Sequence, residues 1–453
     1  MKVKMNKFII FFVTVNLLFT MIGCRGISKN NDVITITVWH TYVEQMRISM
    51  DELIEEFNNT VGKDKGIVVK VTAVANAPVI NEKIMAAANR DPGAPALPNI
   101  AVIYPKLAVN LTEKGIFIDF QKYFSKAELD KYVPAFLDEG KLGGQTVYLL
   151  PVAKSTEVLY VNKTFFDRFS KATGVQLSQL ATFEGIIDAA QKYYDWTDAQ
   201  TPNIANDGAP FYYPDNLFNY TMIGFEQMGE NFIKGQELNL NTKVFERIWN
   251  SYYLPAARGS VAIFNDYGNY LAQTGSVVCV SSTLAGAIFY PSTVTYKNNT
   301  KENVEFTVLP YPVFKEGKKV AIQRGGGMCI TKSTPEEENA SALFLKWLTA
   351  PEQNLRFAVK AGYLPVMKES FDKLFENKVF DTVKNENIKK ALNIAIEMYK
   401  DYHFYFPSAF DNIDKLQISY VNKIQKAAQD MKDKNTIIDN QNELRKFRDS
   451  FDK

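Results

Sequence analysis

The sequence predicts an α/β protein of two lobes, on two observations. β-branched runs alternate with amphipathic stretches at the spacing of βαβ units along the front of the chain, which predicts a mostly parallel sheet there. The 453 residues, about 430 after removal of an N-terminal leader, exceed one ordinary core and suit two.

The leader comes first. Met1 to Lys7 is short and basic, with Lys2, Lys4 and Lys7, and Phe8 to Ile22 is almost wholly apolar before Gly23-Cys24. These are the zones of a secretory signal. The apolar stretch, about 15 residues, falls short of the roughly 20 that span a bilayer as a helix. Residues 1–23 are therefore expected to be a signal peptide and Cys24 the lipidated first residue of the mature chain, with an uncleaved signal anchor as the alternative. Residues 24–32, polar with Gly26, Ser28, Asn30 and Asn31, read as a flexible tether.

Val33 to Trp39 alternates as a strand, and a helix follows over Met46 to Phe57 with Leu53, Ile54 and Phe57 on one stripe. Ile67 to Val74 is the next strand, Val79 to Asn89 a helix, and Asn99 to Tyr104 a third strand. Ligands of such sheets sit at the C-terminal ends of the strands. That marks Trp39-His40-Thr41-Tyr42, Ala75-Asn76-Ala77 and Tyr104-Pro105 as rim segments. Thr146 to Tyr160 holds two short strands broken at Pro151 to Thr156, and helices fit Lys163 to Phe169 and Phe183 to Tyr194. Asn203 to Asn219 reads as a Pro/Gly loop whose aromatics, Phe211, Tyr212, Tyr213 and Phe218, form a packed loop core or contact a ligand. Val244 to Tyr252 is helical; strands are expected at Gly275 to Ser281, Val304 to Leu309 and across Val320 to Ile330. Thr334-Pro335-Glu336-Glu337 opens a helix through a capping box. A further helix runs from Pro351 to Ala361, and the tail from Asn387 is helical apart from an aromatic loop at Tyr402 to Phe410.

Charge narrows the function classes. The 52 basic and 50 acidic residues nearly cancel, and loss of the three leader lysines leaves the balance near zero. Such a chain has no basic field for a nucleic-acid backbone. The two histidines, His40 and His403, have no neighbouring His or Cys, so no metal is expected. Cys279 and Cys329 sit in apolar strand-like runs and are expected as buried free thiols, with a bridge as the alternative. No GxSxG, HExxH or phosphate-loop sequence occurs, which weakens an enzyme reading; neither enzymatic activity nor a cofactor is expected, with a secreted hydrolase as the alternative.

Several segments together carry a family likeness. "FTVLPYP", "RGGGMCI" and "ALFLKWLTAPEQNLRFAVKAGYLPV" lie within Lys301 to Met367; "LPVAKSTEVLYVNKTFFDR" covers Leu150 to Arg168, and "LPNIAVIYPKLAVNLTEKGIFIDF" covers Leu97 to Phe120. In order and spacing they resemble the sugar-type (family 1) bacterial extracellular solute-binding proteins, the capture subunits of ABC importers. Within that family the chain looks closest to the sugar and glycerol-3-phosphate branch. Cys24 resembles the modified cysteine of a lipoprotein box, with Met21 and Ile22 where Leu and a small residue are usual.

The resemblance implies a two-lobed periplasmic-binding-protein-like fold of type II, with a ligand cleft between the lobes and hinge closure over the solute. It divides the chain into 33–150 plus about 311–365 as lobe 1, and 151–310 plus about 366–453 as lobe 2. It implies a monomer outside the cytoplasm, held to the cell membrane by its N-terminal lipid on the periplasmic side or outer surface. The partners implied are a small solute, a carbohydrate, and the transmembrane subunits of an ABC permease. Carried over residue by residue, it places Ser155 and Thr156 at the cleft, Ser281 and Ser282 at a loop offering backbone N–H groups, and Gly326 and Gly327 where ligand approaches the backbone. Tyr363 falls in a ligand-contacting motif. An acidic residue, a tyrosine and an arginine of the glycerol-3-phosphate binders are absent from the matching places, Tyr104, Ala75 to Pro78 and Phe406 to Phe410. Without such an arginine a phosphate loses its strongest partner. A sugar or related polyol fits better, with Trp39, Tyr42, Tyr104, Tyr363 and Phe410 as platforms and His40 and Glu44 as polar contacts. A glycerol-3-phosphate or glycerophosphodiester binder and a surface adhesion or structural lipoprotein on the same scaffold are the alternatives.

Overall fold

A computed structural model describes residues 33–142, 144–360, 362–375, 383–407, 409–410, 412–434 and 438–451. The expectations for the leader, Cys24 and the tether lie outside them. In chain order the strands of the two main sheets are β1 Ile34–His40, β2 Ile67–Ala73, β3 Ile100–Ile103, β4 Leu150–Pro151, β5 Glu157–Asn162, β6 Tyr212–Pro214, β7 Cys279–Thr283, β8 Phe306–Leu309 and β9 Gly327–Ile330.

The first sheet has the order β2-β1-β3-β9-β4. Its first three strands are parallel, as their helical connections require, while β9 returns antiparallel between β3 and β4. Alternation along β1 explains how both faces are covered. Ile36 and Val38 pack with Leu53, Ile54 and Phe57 of helix Glu44–Asn59, whereas Trp39 joins Ile80 and Ile84 of helix Ala77–Asn89. Asn76 caps that second helix, its Oδ1 accepting from the Val79 N–H at 3.0 Å. Thr334 and Glu337 form the expected reciprocal cap of helix Pro335–Leu348.

The second sheet, β8-β5-β7-β6, is mixed: β5 runs antiparallel to β7 and β8, and β6 parallel to β7. Its core is aromatic, with Phe183 against Tyr220 at 4.8 Å and Trp249 stacked on Tyr253 at 4.1 Å between ring centroids. Asn203 to Asn219 is not all loop, since it contains β6 and the start of helix Leu217–Gln227. That helix is buried on nearly every side, so it lacks the polar stripe that marks a helix in sequence. Val320 to Ile330 is not one strand. Val320–Ile322 pairs with His403–Tyr405, and after a break β9 joins the first sheet.

Tyr311 and Phe314, next to the boundary expected near 311, pack on Phe183 at 5.6 and 4.8 Å. Next to the boundary expected near 366, Met367 bridges Tyr132 and Phe371 lies 6.2 Å from Phe136.

Three crossing segments meet between the lobes. Ser155 and Arg324 exchange backbone hydrogen bonds of 2.9 and 2.8 Å, and Lys154 and Leu364 exchange a second pair of 3.0 and 2.7 Å. Beneath them Lys154 Nζ reaches Glu139 Oε2 at 2.9 Å and the Gly325 carbonyl at 3.0 Å, and Gln323 also donates to Glu139. No helix among the described residues is long and apolar enough to cross a membrane. Cys279 and Cys329 are buried free thiols on different sheets, both pushed up in pKa by burial, Cys329 to about 12.

Candidate functional site

The crossing segments floor two adjoining cavities. The larger, about 960 Å³, lies mainly against lobe 2 and is lined by residues of β6, β7 and the turns after them, with Arg324 from a crossing segment and Gln417, Ile418 and Asn422 of helix Ile413–Lys434. The smaller, about 150 Å³, lies against lobe 1 and is lined by Thr41, Tyr42, Tyr104, Gly325, Gly326 and Tyr363, among others. Val43, Ala285 and Phe289 border both, so the two form one cleft.

Exposed apolar surface gathers there. Of the ten exposed large hydrophobic residues among those described, six line the cleft: Val43, Tyr104, Tyr267, Tyr270, Phe289 and Ile418. Single exposed apolar residues are ordinary, but a contiguous concave set rimmed by polar groups marks a binding surface. Side-chain amides alternate with these faces, from Asn216, Asn265, Asn269, Gln273, Gln417 and Asn422.

The charged groups are fixed by hydrogen bonds. Asp215 accepts from the Gly268 N–H at 2.6 Å and from Ser282 Oγ at 2.7 Å. Glu157, 1% exposed at the start of β5, accepts from Asn219 Nδ2 at 2.8 Å and Arg324 Nη1 at 2.9 Å. Burial raises the Glu157 pKa, and the Arg324 charge opposes that shift. Burial also raises the phenol pKa of Tyr42, Tyr104 and Tyr363, the last to about 12. These hydroxyls stay protonated at neutral pH and can both donate and accept.

Of the residues singled out by sequence, Tyr42, Tyr104, Ser282, Gly326 and Tyr363 line the cleft, as do Thr41 of the expected rim and Tyr213 of the aromatic loop. Several others lie elsewhere. Trp39 points into the lobe 1 core because strand alternation turns it away from the rim. His40 is fully buried; its Nδ1 accepts from the Tyr42 N–H at 3.1 Å and its ring stacks on Tyr42 at 4.9 Å, so it positions that tyrosine. Ser155 and Thr156 are buried in a crossing segment, and Ser281 Oγ is bonded to the Tyr212 hydroxyl at 2.8 Å. A Cβ on Gly327 would lie 2.9 Å from Leu149 Cβ, so sheet packing requires that glycine. Gly326 has a double constraint, since its Cβ would stand 2.8 Å from the Ile103 carbonyl oxygen while the residue also borders the cleft. Phe410 is half-buried and lines neither cavity, and the Glu44 side chain lies outside the described residues. Sequence reasoning missed Asp215, Arg324, Phe289 and the Tyr267/Tyr270 pair. The run Asp266-Tyr267-Gly268-Asn269-Tyr270, aromatic and polar around a glycine, was the available signal. Among the described residues no group of His, Cys, Asp and Glu is placed to hold a metal ion.

Comparison with known proteins fits this geometry. Residues 52–379 match the family model described as bacterial extracellular solute-binding protein. No curated protein matches the chain by sequence. Among solved structures, a cyclic alpha-maltosyl-1,6-maltose binding protein from Arthrobacter globiformis superposes with a TM-score of 0.70 at 16% identity, over 91% of this chain and 97% of that one. Lmo0181 from Listeria monocytogenes, an ABC substrate-binding protein solved with cycloalternan, gives 0.67 at 15% identity, over 93% and 98%. UgpB from Mycobacterium tuberculosis, solved with glycerophosphocholine, gives 0.66 at 18% identity, over 92% and 97%. At these identities the likeness is one of fold, the two-lobed type II architecture.

Proposed function

We propose that this chain, which belongs to the bacterial extracellular solute-binding proteins, captures a carbohydrate of more than one ring and hands it to an ABC permease. The observation that carries this reading is the cleft lining, where exposed aromatic faces alternate with side-chain amides across a cavity of about 960 Å³. Sugar rings present apolar faces ringed by hydroxyls, and this lining offers a partner to each. The volume sits at the upper end of the roughly 300–1,000 Å³ typical of small-molecule sites, which favours an oligosaccharide over a single ring. Structural likeness to a cyclic alpha-maltosyl-1,6-maltose binding protein and to a protein solved with cycloalternan supports the same class.

Capture requires no chemistry from the lining. Binding would draw Tyr42, Tyr104 and Tyr363 of lobe 1 and Phe289 and Tyr270 of lobe 2 onto one solute, with the crossing segments as the hinge. Lipidation at Cys24 would keep the monomeric captor beside its permease. A thermal-shift screen of the mature chain against oligosaccharides of several linkages tests the reading. It predicts a stabilised midpoint for a subset of them, because a ligand bound only by the native state raises apparent stability. Stabilisation by none of them at millimolar concentration would overturn it.

A further inference from the structure

We propose that Glu157 makes the cleft selective against anionic solutes, holding the Arg324 guanidinium so that an uncharged saccharide is favoured over a carboxylated or phosphorylated one. The inference rests on the carbohydrate reading and adds the charge class of the solute and the residue that sets it.

Among the described residues lining the cleft, Arg324 is the one that carries positive charge. An arginine there would ordinarily be the anchor for a carboxylate or phosphate. Its Nη1 lies 2.9 Å from Glu157 Oε1, and the Glu157 side chain is 2% exposed while that of Arg324 is 35% exposed. The carboxylate thus meets the guanidinium from the protein side, where water does not screen it. Asn219 completes Glu157 at 2.8 Å, and backbone exchange with Ser155 fixes the base of Arg324, so the pair is held by its surroundings.

The remaining charges of the lining are acidic. Asp215 is pinned by Gly268 and Ser282, and Asp266 is fixed by the Tyr267 N–H at 2.8 Å. The cleft lining therefore carries two carboxylates and one guanidinium, and that guanidinium is paired with a third carboxylate, Glu157, behind it. An anionic solute would meet a cation already matched, together with two fixed like charges. Rejection by built-in repulsion is a recognised route to specificity.

The test compares a neutral oligosaccharide that binds with its uronate-terminated counterpart of the same length and linkage, by titration calorimetry at low and high salt. The wild type is expected to prefer the neutral sugar by at least roughly tenfold, with the preference shrinking as salt rises. Glu157→Gln keeps the side-chain shape and an oxygen for Asn219 but releases the Arg324 charge, and should narrow the ratio by about tenfold. Asp266→Asn, at an exposed turn outside the core, should narrow it less and serves should Glu157→Gln fail to fold. Equal or tighter binding of the uronate by the wild type would overturn the proposal, as would an unchanged ratio in a folded Glu157→Gln chain, or in Asp266→Asn where Glu157→Gln does not fold. Absence of binding by every oligosaccharide, neutral or acidic, would remove the carbohydrate reading and this inference with it.

Discussion

Lys154 lies where the crossing segments meet, and its replacement by methionine tests whether a buried ion pair holds the hinge. Its Nζ sits 2.9 Å from Glu139 Oε2 and 3.0 Å from the Gly325 carbonyl, with the two side chains only 2% and 7% exposed. Methionine fills similar space but leaves the Glu139 carboxylate without its counter-charge. Removing one partner of a buried pair costs about 3–5 kcal/mol. Gln323 still donates to Glu139, so the lower end of that range is expected, about 3 kcal/mol. Lys154→Met combined with Glu139→Gln removes both charges and should cost about 1–2 kcal/mol, near the value of the lost hydrogen bonds. The double variant should therefore be more stable than the single one. Urea denaturation followed by fluorescence of the four tryptophans measures all three proteins. A loss below about 1 kcal/mol for Lys154→Met, or a double variant no more stable than the single, would show that the ion pair does not hold the hinge.

Other perturbations have definite signs. Gly326→Val should lower stability and solute affinity together, because the new Cβ would stand 2.8 Å from the Ile103 carbonyl oxygen and its methyls would enter the cleft; calorimetry and thermal melting read both effects. Lys106→Glu should weaken solute binding by at most about fivefold, since the Lys106–Asp414 pair joins helix Pro105–Thr112 of lobe 1 to helix Ile413–Lys434 of lobe 2, and an exposed pair contributes about 0–1 kcal/mol. The difference should vanish at high salt, and Asp414→Lys in the same chain should restore affinity. The hydrogen bond from Lys346 holds the Glu128 carboxyl down at about 2, below its unfolded value. Its contribution is present above the ordinary carboxyl range and is lost as pH falls from there through about 2. Lys346→Met should move acid unfolding to higher pH, by an amount worth under about 1 kcal/mol because the pair is partly exposed.

Local pattern was enough for much of lobe 1. The β-branched runs at 34–40, 67–73 and 100–103 and the cap at Thr334 are signals carried within a few residues. Tertiary partners decided what was missed. Val320–Ile322 and β9 look like one strand because both are apolar and close in sequence, yet they pair into different sheets. Leu217–Gln227 carries no amphipathic stripe because the lobe surrounds it. The site divides in the same way. Tyr42, Tyr104 and Tyr363 follow from the rule that ligands sit at strand ends and from the family likeness. Asp215 and Arg324 become site residues only when β6, β7 and a crossing segment converge, which no short window of sequence contains.

Both lobes are expected to grip one oligosaccharide, and Tyr104 and Phe289 provide one exposed aromatic face from each. The decisive measurement is titration calorimetry of the mature chain and of Tyr104→Ala/Phe289→Ala with the same oligosaccharide. Burying an aromatic side chain contributes about 1.5–3 kcal/mol, so loss of both should weaken binding by a hundredfold or more, about 3 kcal/mol. Saturable binding by the wild type with that loss in the double variant is the predicted result. A dissociation constant unchanged by the double substitution would place the solute outside this cleft.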